Sequence, residues 1–218
     1  MGVARPEPRG RPLLALLALV PLAACSPYAD AERDVAAGGR GLAKLNPAPK
    51  QAYELVLTLK DAPGPFAIVE GVAQYDVSNY EDCGRILPAT GTAGRITSQE
   101  PVTLHKVSEN EYRGTFYLDR MLDEDYYGRG ACDWTLTGVG AMLRATTSKA
   151  DTRFLTFVDK KRMENDSPLT LYYPNLVYPR ADTVANFGAS GEEAPSGYSE
   201  DLRDALFSTT TTVQKLMP

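Results

Sequence analysis

The chain offers one histidine, three cysteines and one dense acidic cluster as its candidates for chemistry. A Ser-His-Asp or Cys-His device needs a base beside its nucleophile. The single His105 lies between Leu104 and Lys106 on an expected strand, and no Gly-x-Ser-x-Gly elbow is present. His105 therefore reads as a strand-surface residue, and no catalytic residue is assigned. Asp119, Asp123, Glu124 and Asp125 lie within seven residues, beside Tyr126 and Tyr127. A glycosidase sets two carboxyls about 5–9 Å apart across a cleft, which one short loop rarely supplies. A hydrolase here would need a deep pocket around Asp119–Asp125 and a carboxyl of raised pKa. A hard cation such as Ca²⁺ takes several oxygens, yet Asp123-x-Asp125-x-Tyr127-Gly128 departs from an EF-hand loop. Position five lacks Asp or Asn, and no Glu closes it.

Two further readings of the cluster stay open. One is a solvated loop whose acids accept from backbone amides and pair with Arg120 or Arg129. The other is a partner-binding surface formed by Asp123, Glu124, Asp125, Tyr126 and Tyr127. The 12 Tyr against 6 Phe and 1 Trp fit the latter, because Tyr contributes large contact area with few rotors. Tyr is equally a good strand former with wet edges. Gly138-x-Gly140 lacks a third glycine and a following helix signal, so no phosphate cradle and no cofactor is expected.

The N-terminus reads as an address. Arg5, Arg9 and Arg11 precede LLALLALVPLAA at 13–24, and Cys25 follows. This is the layout of a secretory signal. Its apolar core is too short for a spanning helix, which needs ~20 residues. Leu22-Ala23-Ala24-Cys25 resembles a bacterial lipobox. That resemblance implies acylation (palmitate-type) of the Cys25 thiol, cleavage before it, and a further acyl chain on the new α-amine. At ~0.8 kcal/mol per buried CH₂, three chains make an essentially permanent anchor. Ser26, rather than Asp, follows the cysteine; by likeness to enterobacterial sorting this implies the outer membrane, facing the periplasm. Residues 1–24 hold three Arg and one Glu, so their removal takes the formal charge from -5 to -7. An acidic body is mildly repelled by an anionic membrane, which leaves the lipid to hold it. The same charge argues against nucleic acid as a partner.

Export places Cys83 and Cys132 in an oxidising compartment. A disulfide between them would enclose 48 residues and stabilise by roughly 4 kcal/mol in the chain-entropy model. The alternatives are two buried thiols or half of a metal site. The lone His105 and the absence of Cys-x-x-Cys speak against zinc.

These residues must be positioned by the rest of the chain. With 218 residues, 43% hydrophobic, 23% charged, 18 Gly and 16 Pro, the composition favours one or two globular domains of many short elements. It excludes a coiled coil, a polytopic membrane protein and a wholly disordered chain. Residues 25–50 read as a lipidated tether with a weak helix around Asp30–Ala37. Tyr53, Leu55, Leu57 and Leu59 alternate with polar residues, hence a half-buried strand. Further strands are expected at Phe66–Tyr80 with Gly71 as a bulge, Val102–Val107, Glu111–Leu118, Ala131–Thr147, Arg153–Val158 and Leu169–Tyr178. Gly84–Pro101 reads as a polar loop. Such spacing predicts an all-β fold, a single β-sandwich (immunoglobulin-like or similar) over 51–178. Residues 179–218 are expected as an extended tail with a short C-terminal helix at Ser199–Phe207, docked through Leu202, Leu206 and Phe207. The bridge beside Trp134 matches immunoglobulin-like domains in its packing alone, since there the Trp lies between the cysteines.

Tyr112–Trp134 reads YRGTFYLDRMLDEDYYGRGACDW. It resembles a mostly uncharacterised family of small proteobacterial envelope proteins, many of them lipoproteins, with a DEDYYGxGxCxW core. An upstream segment like Asn79-Tyr80-Glu81-Asp82-Cys83 accompanies that core, and the likeness covers roughly 51–158. Some members are encoded beside secreted antibacterial effectors, which implies immunity proteins. The expectation is a non-enzymatic, lipid-anchored periplasmic protein that binds a protein partner. The alternatives are a structural or assembly lipoprotein of an envelope complex and a hydrolase built on the acidic loop.

Overall fold

The computed structural model describes Met1, Gly2 and residues 27–217. The expected signal segment and Cys25 lie outside the described residues. The chain forms two five-stranded sheets packed face to face, an all-β sandwich. The first sheet has the order β4 (His105–Ser108), β5 (Glu111–Tyr117), β1 (Ala52–Lys60), β10 (Leu206–Lys215), β8 (Leu169–Pro174). The second runs β3 (Thr97–Val102), β2 (Ile68–Val77), β6 (Trp134–Arg144), β7 (Arg153–Asp159), β9 (Gly188–Ala189). Neighbours are antiparallel except β7 and β9. Among the described residues four short α-helices lie outside the sheets: α1 (Pro27–Ala36), α2 (Tyr80–Cys83), α3 (Lys160–Glu164) and α4 (Glu200–Arg203).

Alternation explains the core. Leu55, Leu57 and Leu59 of β1 point inward, facing Tyr75, Val139, Leu143 and Phe154 of the other sheet in one cluster. Each buried large apolar side chain contributes roughly 1.5–3 kcal/mol relative to exposure. Phe66, Phe154, Tyr173, Tyr178 and Phe207 fill one end edge to face, with Phe154 and Phe207 centred 5.1 Å apart. Some inner positions are threonines, and two of them, Thr156 of β7 and Thr211 of β10, share a 2.8 Å hydrogen bond across the sheets.

The sandwich extends beyond the expected border at Tyr178. β10 is central, hydrogen-bonded to β1 on one side and β8 on the other. The helix expected at Ser199–Phe207 is a single turn, Glu200–Arg203, and Phe207 is buried as a strand residue. β-Branched Thr209–Val213 suit a strand. β3 likewise occupies the end of the expected polar loop, and the chain crosses sheets at Thr103-Leu104 before β4. The bulge in β2 falls between Gln74 and Tyr75, not at Gly71. Gly71 is instead a point of close approach: a Cβ there would lie 2.5 Å from the Val102 carbonyl oxygen.

The segment expected as a tether packs on the sandwich over its described length. α1 is followed by a turn at Gly38, whose φ of +87° is open to glycine. Ala43 is buried, Leu45 bridges Met121, and Arg40 reaches Glu100 of β3 through two 3.0 Å hydrogen bonds. Asp119 accepts from the amides of Lys50 (2.9 Å) and Gln51 (3.0 Å), which fixes the entry into β1.

Candidate partner-binding loop

The acidic loop connects β5 to β6, so it crosses from one sheet to the other at one end of the sandwich. A crossing loop of this length leaves many backbone groups to satisfy, and its own side chains do so. Asp123 accepts from the Trp134 amide at 2.8 Å. Asp125 accepts through one oxygen from the amides of Gly128 (2.7 Å), Arg129 (3.0 Å) and Tyr127 (3.3 Å). Gly128 and Gly130, at φ +72° and +107°, permit that tight wrap. Glu124 pairs with Lys44 at 2.7 Å, and its carbonyl accepts from Cys132. The Tyr126 hydroxyl donates to the Leu122 carbonyl. Tyr127 is half-buried, stacked on Tyr28 of α1 with ring centres 5.8 Å apart.

The loop is then tied to the neighbouring turn. Cys83 and Cys132 form the expected disulfide. It joins α2, which follows β2, to the lead-in of β6, so it clamps adjacent strands of one sheet. This differs from the inter-sheet bridge of immunoglobulin-like domains. Trp134 does pack against it, with Val77, Tyr80, Tyr126 and Tyr127. Asn79 accepts from the Asp133 amide (2.8 Å) and donates to the Ala131 carbonyl (3.0 Å). The Arg129 guanidinium donates to the carbonyls of Gly84 and Glu81.

All five expected contact residues thus share one loop, and each has a structural task. The acids do accept backbone amides, but Glu124 takes Lys44 as its ion-pair partner, not Arg120 or Arg129. Burial alone would raise the Asp125 carboxyl; the amide bonds from Arg129, Gly130, Gly128 and Tyr127 outweigh it and hold the group below the ordinary range. Asp119 is lowered in the same way by the Lys50 and Gln51 amides against a desolvation cost. A general acid needs a shift in the opposite direction. Desolvation in its half-buried site raises the Tyr127 phenol. Among the described residues no three His, Cys, Asp or Glu side chains are grouped as metal ligands, and no helix is long and apolar enough to cross a membrane.

Sequence reasoning did not identify Tyr28, Lys44 and Arg40 as partners of the sandwich. Their contacts lie far away in sequence, 60 residues for Arg40 and Glu100, so no local pattern marks them. Comparison with protein-family models, curated proteins and solved structures gives no match.

Proposed function

We propose that this chain is a lipid-anchored protein of the bacterial envelope whose sandwich presents the Asp123–Tyr127 loop to a basic protein partner in the periplasm. The observation that carries the reading is the loop's rigidity. It keeps Asp123 and Asp125 exposed while the disulfide, Asn79 and Arg129 hold its backbone. A surface already ordered loses little conformational freedom when bound. Fixed negative charge also steers a basic partner toward it. The lipobox at Leu22–Cys25 supplies the location. The likeness of Tyr112–Trp134 to envelope lipoproteins supports the specific version, an immunity protein that occludes a secreted effector.

The test separates charge from shape. In the Asp123→Asn, Glu124→Gln, Asp125→Asn variant the amide oxygens at 123 and 125 still accept from the loop's backbone, the Lys44 ion pair is lost, and three negative charges are gone. The oxidised parent chain, used as bait against envelope and secreted proteins of the same bacterium, should retain a basic enzyme and block its activity. The variant should bind that enzyme more weakly, with a flatter dependence on salt. Unchanged affinity would show that the loop is not the contact surface. Retention of an envelope-machinery component in place of an enzyme would make the chain an assembly lipoprotein.

A further inference from the structure

We infer that the bilayer-facing part of the molecule is the corner built from α1 and the Arg85–Arg95 loop, with Val35, Ile86 and Leu87 as its apolar tip. The inference rests on the anchor at Cys25 proposed above.

Chain length supplies the first argument. Tyr28 lies three positions after Cys25, a reach of at most about 11 Å when fully extended. Tyr28 is held in place. Its ring stacks on Tyr127, and the Arg85 guanidinium lies 5.3 Å above it. Glu32 pairs with Arg85, and Asp34 accepts from the Gly41 amide at 2.8 Å. An acyl chain on Cys25 would therefore enter the membrane at this end of the sandwich, beside α1.

The loop supplies the second argument. Ile86–Gly94 carries no charged residue and is bracketed by Arg85 and Arg95. It closes on itself as a small hairpin: Leu87 donates to Thr92 at 2.8 Å, Gly91 to Leu87 at 2.8 Å, and Ile86 bridges Ala93. Backbone groups paired in this way suit a surface with little free water. Val35, Ile86 and Leu87 are 51%, 42% and 38% exposed. Val35 and Leu87 line one cleft of about 190 Å³ together with Arg85 and Arg95. Arg95 lies over the Tyr80 ring at 5.7 Å and makes no ion pair among the described residues. Glu32 lines the same cleft and neutralises Arg85, and α1 also carries Asp30 and Asp34, so Arg95 is the cation of the rim. Apolar tips beside one arginine and a tyrosine rim match the chemistry of a lipid headgroup layer.

Hydroxyl-radical footprinting of the lipidated protein on phosphatidylethanolamine–phosphatidylglycerol vesicles tests the orientation, with the lipid-free Cys25→Ser chain as reference. The expected result is flotation with the vesicles and loss of labelling at Val35, Ile86 and Leu87. Leu176, Val184 and Phe187, exposed beyond the other strand ends, should label as in the reference. Flotation with unchanged labelling at the tip, or with loss at Leu176, Val184 and Phe187, would overturn the orientation while leaving the anchor intact. A parent protein that carries no acyl chain and does not float would remove the anchor, and this inference with it.

Discussion

Glu100 is a carboxylate on the inner face of an edge strand, only 6% exposed. Burying such a charge costs several kcal/mol unless it is matched. Arg40 matches it through two 3.0 Å bonds, and Ser98 donates a third at 2.8 Å. Burial alone would raise the carboxyl; these partners outweigh that and hold it below the ordinary 4.5. A lowered folded value means the ionised form contributes stability that is complete above 4.5 and is lost as pH falls through the folded value. Glu100→Gln should therefore flatten the acid limb of a plot of urea midpoint against pH. An acid limb as steep as the parent's would show that other carboxylates dominate it. At neutral pH Arg40→Ala leaves Ser98 as the side-chain hydrogen-bond donor to the buried charge, with Arg120 acting from farther off, and should cost about 1.5–3 kcal/mol, the range for hydrogen bonds to charged groups. An unchanged urea midpoint would mean that the strap at residues 40–50 is not a clamp.

At the scale of elements, β6 and β7 meet through glycine. Gly138 and Gly140 lie opposite Asp159 and Phe157 of β7, and the Phe157 ring covers the space a side chain at Gly138 would need, 2.3 Å from its Cβ position. At Gly140 a Cβ would sit 2.0 Å from the Thr156 carbonyl oxygen and 2.8 Å from the Phe157 Cα. Those are backbone atoms and cannot rotate away. Gly140→Ala should thus cost about 1–3 kcal/mol by overpacking, read as a lowered thermal midpoint; an unchanged midpoint would show that the two strands separate freely. The sequence carried a bland signal there, two glycines breaking an apolar alternation. Alternation did reveal β1, β5, β7 and β8, whose inward residues are mostly apolar, Thr156 of β7 excepted. It missed β3 and β10, whose inward residues include Ser98, Glu100, Thr209 and Thr211. Buried polar positions look like loop until their partners are known, and here the partners Arg40 and Thr156 come from distant segments. The acidic loop was legible from composition. Its supports were only partly so: the disulfide followed from cysteine number, whereas Lys44 meets Glu124 across 80 residues.

For the whole molecule, the proposed anchor and the proposed contact loop fall at the same end. Tyr28, three residues from Cys25, stacks directly on Tyr127, so a partner bound to Asp123–Tyr127 is held close to the bilayer. The net charge, -5 for the full chain and -7 once the proposed signal segment 1–24 is removed, attracts a basic partner from any direction. Screening limits that field to about 8 Å at physiological ionic strength. Final docking therefore depends on access to the loop itself, and a membrane beneath the Val35–Leu87 corner removes part of the approach. Association of a basic partner should consequently be slower for the vesicle-anchored protein than for the lipid-free Cys25→Ser chain. Dissociation should be the same for both, because the contacts once made are identical. Stopped-flow measurement of both forms at equal protein concentration would read the difference. Equal association rates would place the loop clear of the membrane. A slower rate with a changed dissociation rate would mean that the bilayer itself touches the bound partner.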